Sequence, residues 1–181
     1  YNVQEARAGK PALQAPWVQW VVNRDPKLFP QEAVRGATLR SYLVPQEETV
    51  FACDGTPQRR PQFPDKLKWV VRRRTGEDLK STFVTVHETF VGEPYLTSVK
   101  RLSVQPDDGA VAVEVQIADR RHVIFSATDV TREYVVDGKL RVQGRGAVLA
   151  LDAAGKVAAA RLFDGTQLTL GETKLTDVGL R

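Results

Sequence analysis

Between residues 132 and 170 the chain is cut by turn signals every dozen residues or so. Asp137-Gly138 separates the apolar runs 132–136 and 140–143, and Asp152-Ala153-Ala154-Gly155 separates 147–151 from 157–162. Asp164-Gly165 then separates that run from 167–170. Asp-Gly between apolar runs signals a hairpin, because a type I′ turn needs positive φ at both central residues. Alanine favours a helix at Val157-Ala158-Ala159-Ala160-Arg161, but Gly155 and Gly165 leave it too little room. Punctuation this dense requires a core made of short antiparallel strands.

The rest of the chain follows the same pattern. Residues 17–22 (WVQWVV), 37–44 (ATLRSYLV), 49–53, 67–73 and 82–90 are rich in β-branched and aromatic side chains and are predicted strands. Residues 95–104 and 121–127 are further strands, and 174–178 closes the series. In 111–117, Val111, Val113, Val115 and Ile117 alternate with Ala112, Glu114 and Gln116, the pattern of a half-buried strand. Residues 1–16 carry no clear period, and 24–36 read as a loop with at most one helical turn. The stretch 56–65 (TPQRRPQFPD) holds three prolines, which lack amide donors, and is the expected long loop. Strand patterns on its two sides are alike, so one all-β antiparallel sandwich over residues 1–181, built from meanders and hairpins, is the expected fold.

Several function classes are excluded or left without support. No run approaches the ~20 apolar residues of a membrane-spanning helix, and no charged-then-apolar signal segment opens the chain. Cys53 stands alone with two histidines, too few ligands for a structural zinc site. No cofactor motif is present. The net charge of +4 leans towards polyanionic partners, although a modest positive balance also just keeps a protein soluble. Nucleic-acid binding has no motif behind it beyond charge. The chain begins at Tyr1 and contains no methionine, which we read as the mark of a piece of a longer protein.

From Arg72 to Glu88 the wording becomes more particular: Arg, Gly76, then Ser81-Thr82-Phe83-Val84-Thr85-Val86-His87-Glu88. This stretch resembles the late β-strand region of the heparinase II/III-like family of bacterial polysaccharide lyases. Trp17-Val18-Gln19-Trp20, Leu39-Arg40-Ser41-Tyr42-Leu43-Val44-Pro45 and Ala52-Cys53-Asp54-Gly55 resemble the strands before it. Gly144-Arg145-Gly146-Ala147, Asp152-Ala153-Ala154-Gly155-Lys156 and Phe163-Asp164-Gly165-Thr166-Gln167-Leu168 resemble its closing hairpins. The resemblance implies a supersandwich-like β region that follows an upstream helical toroid domain, with an acidic polysaccharide bound between them. It implies β-elimination at a uronic acid, with tyrosine and histidine as acid and base, and a periplasmic or secreted location. By the same pattern those catalytic groups lie on the toroid and the first part of the β region. No catalytic residue therefore carries over to this chain, which is expected to be inactive alone.

Local candidates remain to be weighed. Arg72 and Arg74 project from one face of an extended strand and, with Lys66 and Lys68, form a basic stripe; Trp69 lies among them. Arginine forks suit carboxylates and sulfates, so these five residues are the candidate glycan contacts, against the plainer alternative of a solvated strand end. Trp17, Trp20 and Trp69 could stack on sugar rings, although large aromatics more often anchor a core. His87 and Glu88 point to opposite faces of one strand and cannot serve one substrate atom. His122, Ser126, Asp129 and Tyr134 lie close in sequence but lack a nucleophile elbow. Three functions fit these features: the non-catalytic C-terminal β region of a lyase, a free-standing acidic-polysaccharide-binding module, and a structural interaction domain.

Overall fold

The computed structural model describes residues 3–4, 17–21, 36–55 and 67–175. These form β1 (Val3–Gln4), β2 (Trp17–Val21), β3 (Ala37–Leu43), β4 (Thr49–Gly55), β5 (Leu67–Arg73), β6 (Thr85–Val91) and β7 (Leu96–Leu102). They continue with β8 (Val104–Gln105), β9 (Val111–Ile117), β10 (Arg120–Ser126), β11 (Tyr134–Val136), β12 (Leu140–Leu151), β13 (Val157–Leu170) and β14 (Thr173–Lys174). Every pairing is antiparallel, and the described residues contain no helix, so none that could cross a membrane. The all-β reading holds. The Pro-rich stretch 56–65, Lys66, the loop expected at 24–36 except Gly36, and most of 1–16 lie outside the described residues.

The largest sheet has eight strands, ordered β14-β13-β12-β10-β9-β7, with β11 on β12 and β8 on β11. The strand expected over 95–104 breaks at Ser103 into β7 and β8. Because β8 follows β7 at once, the circuit β7-β9-β10-β12-β11-β8 returns almost to its start. The sheet thus curls into a nearly closed barrel. Its interior holds Ala112, Val123, Phe125, Tyr134, Val136, Leu140, Val142, Ala147 and Leu149, and each larger apolar side chain buried there contributes about 1.5–3 kcal/mol.

Strand β9 keeps its predicted alternation, but from 111 to 115 it is buried on both faces. Ala112 points into the barrel, and Val115 meets a second layer. That layer is the sheet β2-β3-β6, where Trp17 pairs with Tyr42 and Tyr42 with Val86. Tyr42, Trp17 and Val86 pack with Leu96, Val99, Val115 and Ile117 into a core of their own. The second layer is the physical reason the half-buried expectation fails. A third sheet, β1-β4-β5, completes the described fold.

The three turn signals of the last third diverge. Asp137 (φ 49°) and Gly138 (φ 70°) make the expected tight hairpin between β11 and β12, and Gly155 (φ 80°) closes the turn between β12 and β13. Asp164-Gly165 makes no hairpin, because β13 runs straight through it from Val157 to Leu170. Asp164 does have positive φ, 46°, but spends it on a β-bulge where the register shifts beside Gly144. Gly144 and Gly165 approach so closely there that a Cβ on Gly165 would lie 2.7 Å from the Gly144 Cα. Just past the bulge the inward phase of β12 changes, from Val142 and Gly144 to Ala147, Leu149 and Leu151.

Candidate functional site

Strand β5 holds most of the predicted basic stripe, and the structure divides its members. Lys68 is exposed and ion-paired with Asp54, its cross-strand partner on β4. Trp69, 40% exposed, lays its indole across Gly55, where a side chain would collide with it. Arg72 points inward, with its side chain only 9% exposed. Its Nε donates to both Glu48 oxygens at 2.9 and 3.0 Å, and Nη2 donates to Glu48 Oε1 at 2.6 Å and the Val44 carbonyl at 2.8 Å. Nη1 donates to the Val84 carbonyl at 2.5 Å and to Thr85 Oγ1 at 3.3 Å. All five N–H groups are then occupied within the protein. The expectation that Arg72 faces a glycan is corrected: it braces β5 against the ends of β3 and β6.

Arg74 stays closer to solvent. Its Nε donates to the Glu47 carbonyl at 3.1 Å, and Nη1 to the Lys80 carbonyl at 3.1 Å and Ser81 Oγ at 3.3 Å. The side chain lines a cleft of about 640 Å³, whose other walls carry Gln46, Lys80, Thr82, Arg101, Ser103, Gln105, Asp107 and Asp108. The volume lies in the ordinary range for ligand sites. One wall is the 74–82 segment after β5, the opposite wall is the 101–110 segment around β8, and the 44–48 loop carries Gln46 between them. Thr82 Oγ1 donates to the Gly109 carbonyl at 3.1 Å, tying the two walls together.

Charge is divided unevenly across this cleft. Arg74, Lys80 and Arg101 all line it, and none forms an ion pair among the described residues. Arg101 Nη1 donates to the Gln46 side-chain oxygen at 3.5 Å, a neutral partner. On the wall that also carries Arg101, Asp108 Oδ2 accepts from Arg132 Nη1 at 2.6 Å and from the Tyr134 hydroxyl at 3.2 Å, while Oδ1 is buried without a partner among the described residues. Burial, and then the Asp108 carboxylate beside it, raises the Tyr134 hydroxyl pKa above its ordinary value. Arg132 also reaches Asp129, at 3.8 Å; the hydroxyl and then the amide of Thr131 hold that carboxyl below the usual range.

The histidines do not assemble catalytic sets. His87 Nδ1 lies 2.8 Å from Ser41 Oγ, its direct cross-strand partner, and no carboxylate among the described residues orients the ring. Glu88 projects to the opposite face, as strand geometry requires. His122 lies on the outer face of β10 while Tyr134 is inside the barrel, and no bond joins His122 to Ser126, Asp129 or Tyr134. The described residues contain no group of three or more side chains suited to hold a metal.

Glu88 was missed as an organising residue, and it is fully buried. Its Oε1 accepts the Tyr95 and Leu96 amides at 2.6 and 2.7 Å, and Oε2 accepts the Tyr42 hydroxyl at 3.2 Å. A signal was present: Glu88 falls in phase with Val84, Val86 and Phe90, an acid on an otherwise apolar face. Arg40 donates to that same hydroxyl at 3.4 Å and to the Gln19 side-chain oxygen at 3.0 and 3.2 Å. Its guanidinium stacks between Trp17, at 4.3 Å, and Phe90, at 5.2 Å, so Trp17 is engaged by an arginine of the same sheet.

Set against family models, curated proteins and solved structures, the chain finds no match in any of the three comparisons.

Proposed function

We propose that this chain is a non-catalytic β module that holds an acidic polysaccharide in the cleft lined by Arg74, Lys80 and Arg101. The observation that carries the reading is the gathering in one concave site of three cations that have no carboxylate partner among the described residues. Such groups keep their field for an incoming anion, and arginine adds donors suited to carboxylate or sulfate oxygens. Asp107 and Asp108 in the same cleft, with Thr82, Ser103 and Gln105, favour a ligand that alternates acid groups with hydroxyls over a dense polyanion such as nucleic acid.

The motif resemblance at residues 72–88 extends this proposal. In a parent heparinase II/III-like lyase the chain would be the C-terminal β region, supporting an upstream helical toroid domain and flanking the glycan. A free-standing binding module is the alternative reading.

Titration calorimetry with hyaluronan, alginate and heparin oligosaccharides tests the binding claim. At least one acidic oligosaccharide should bind, and Arg74→Ala, Lys80→Ala and Arg101→Ala should each weaken it about tenfold, as expected for a lost charge-assisted bond. No binding to any of the three would overturn the reading. The isolated chain should leave each glycan intact; release of unsaturated uronate products would show it to be an enzyme.

A further inference from the structure

Gln46 is the neutral group in contact with one of the cleft's three cations, and its setting is unusually well determined. It belongs to the 44–48 loop between β3 and β4. Arg72 holds both ends of that loop, through the Val44 carbonyl and the Glu48 carboxylate, and Arg74 holds it through the Glu47 carbonyl. The two arginines that strand periodicity places on one face of β5 therefore share a task, which is to pin the loop that carries Gln46.

The loop also fixes which way the Gln46 amide points. Gln46 Nε2 donates to Glu48 Oε2 at 3.0 Å. An ionised carboxylate can only accept, so the amide nitrogen must face Glu48 and the amide oxygen must face away. That oxygen meets Arg101 Nη1. Glu48 is nearly buried, with its side chain 5% exposed, and is held by Arg72. The result is an ordered chain, Arg72 to Glu48 to Gln46 to Arg101, running from the interior to the cleft. Reversing the amide would set its NH2 group against the Arg101 guanidinium, donor against donor, and its oxygen against the Glu48 carboxylate, acceptor against acceptor.

We infer that Gln46 is a positioning residue for the cleft: oriented by Glu48, and through it by Arg72, it tethers Arg101 where an anionic ligand meets it. This rests on the cleft being the binding site proposed above. It gives Arg72 a part in ligand binding without any contact to ligand. It also separates the cleft's cations, since Arg101 is held through a side-chain amide while Arg74 is held by two backbone carbonyls and the Ser81 hydroxyl.

The test uses the full chain and the acidic oligosaccharide that the wild type binds most tightly among hyaluronan, alginate and heparin hexasaccharides. Gln46→Ala should weaken binding about three- to tenfold, as loss of one positioning hydrogen bond would, while its urea midpoint stays at the wild-type value. Gln46→Ala added to Arg101→Ala should cost nothing further, because the tether then has nothing to hold. Glu48→Gln lets the amide reverse but also removes the charge that pairs Arg72, so it is measured where its urea midpoint shows it folded, and there it should weaken binding at least as much as Gln46→Ala. The ligand-free protein supplies a separate readout: the Arg101 Nε–H NMR signal should shift in both Gln46→Ala and Glu48→Gln. Wild-type protein that binds none of the three glycans would sink the cleft reading and this inference together. Glycan binding in which the Gln46 and Arg101 effects simply add, or an Arg101 signal unmoved by either variant, would overturn the positioning role alone.

Discussion

Arg72 on β5 donates to both carboxylate oxygens of Glu48, a residue 24 positions earlier in the chain, and the two side chains are 9% and 5% exposed. Removing one partner of a buried pair leaves the other charge uncompensated, which typically costs about 3–5 kcal/mol. Arg72→Met should therefore destabilise strongly, and Glu48→Leu likewise. The double variant should cost clearly less than the sum of the two singles. Urea titrations of all three check this, and an Arg72→Met protein within 1 kcal/mol of wild type would show the pair to be dispensable.

Glu88 accepts three hydrogen bonds, and two of them fix the amides of Tyr95 and Leu96 where β7 begins. Glu88→Gln keeps the shape but replaces one accepting oxygen with a donor. With the amide oxygen kept towards the Tyr95 and Leu96 amides, the Tyr42 hydroxyl is left with the Leu96 carbonyl at 3.3 Å as its acceptor, and both amides exchange a charged acceptor for a neutral one, at about 1–2 kcal/mol. Faster amide exchange at Tyr95 and Leu96 should accompany the lowered stability. Unchanged exchange at both amides would show that the carboxylate is not what holds them.

Glycine is required at two places for different reasons. A side chain at Gly165 would run into the Gln143 carbonyl and the Gly144 backbone, whereas nothing lies within 4 Å of a Cβ at Gly138. Gly138→Ala should cost about 1–2 kcal/mol for its positive φ alone. Gly165→Ala should cost more, because overpacking against backbone adds about 1–3 kcal/mol. Thermal unfolding of the two variants side by side decides the order, and a milder effect at Gly165 would contradict the close approach of β12 and β13.

Tyr134 makes stability depend on alkaline pH. Burial and Asp108 raise its native pKa above the unfolded value, so the folded state keeps the proton longer than the unfolded state does. The resulting stabilisation is complete below about pH 10, the ordinary tyrosine pKa, and is lost as pH rises from there through the native pKa. Urea midpoints measured across that range should fall more steeply for wild type than for Tyr134→Phe. Parallel curves would show that Tyr134 does not carry the dependence.

How much of this was legible beforehand differs element by element. Strand existence was readable from local chemistry, since β-branched runs between Gly and Pro carry their own evidence. Asp137-Gly138 and Asp164-Gly165 show where local chemistry stops, because the same dipeptide makes a hairpin at one place and a bulge at the other. The difference lies in the partner strand, where Gly144 lets Gly165 come close, and that pairing spans a long stretch of sequence. For Arg72 the face was predictable from period two, but its partner Glu48 sits in a loop that no periodicity describes. Lys80, Arg101 and Gln46 enter one cleft from three separate segments, so no window of sequence could have joined them.

Binding in the cleft should weaken steeply with salt. Arg74 and Arg101 are held there by neutral groups and Lys80 is exposed, so their attraction for an anion is screened over roughly 8–10 Å at physiological ionic strength. Dissociation constants measured at rising sodium chloride should increase, and Lys80→Ala should reduce that slope. A salt-independent affinity would mean the contacts are mainly apolar.

The barrel's pairing circuit uses only strands from β7 to β12, so among the described residues it is completed within 96–151 and borrows no strand from the first half of the chain. During synthesis the earlier sheets emerge first, yet the surface that β2-β3-β6 packs against does not exist until β7 and β9 have followed. The order of emergence and the order of assembly are therefore opposed for that layer: the β2-β3-β6 sheet must wait, partly unsatisfied, for a later-made platform.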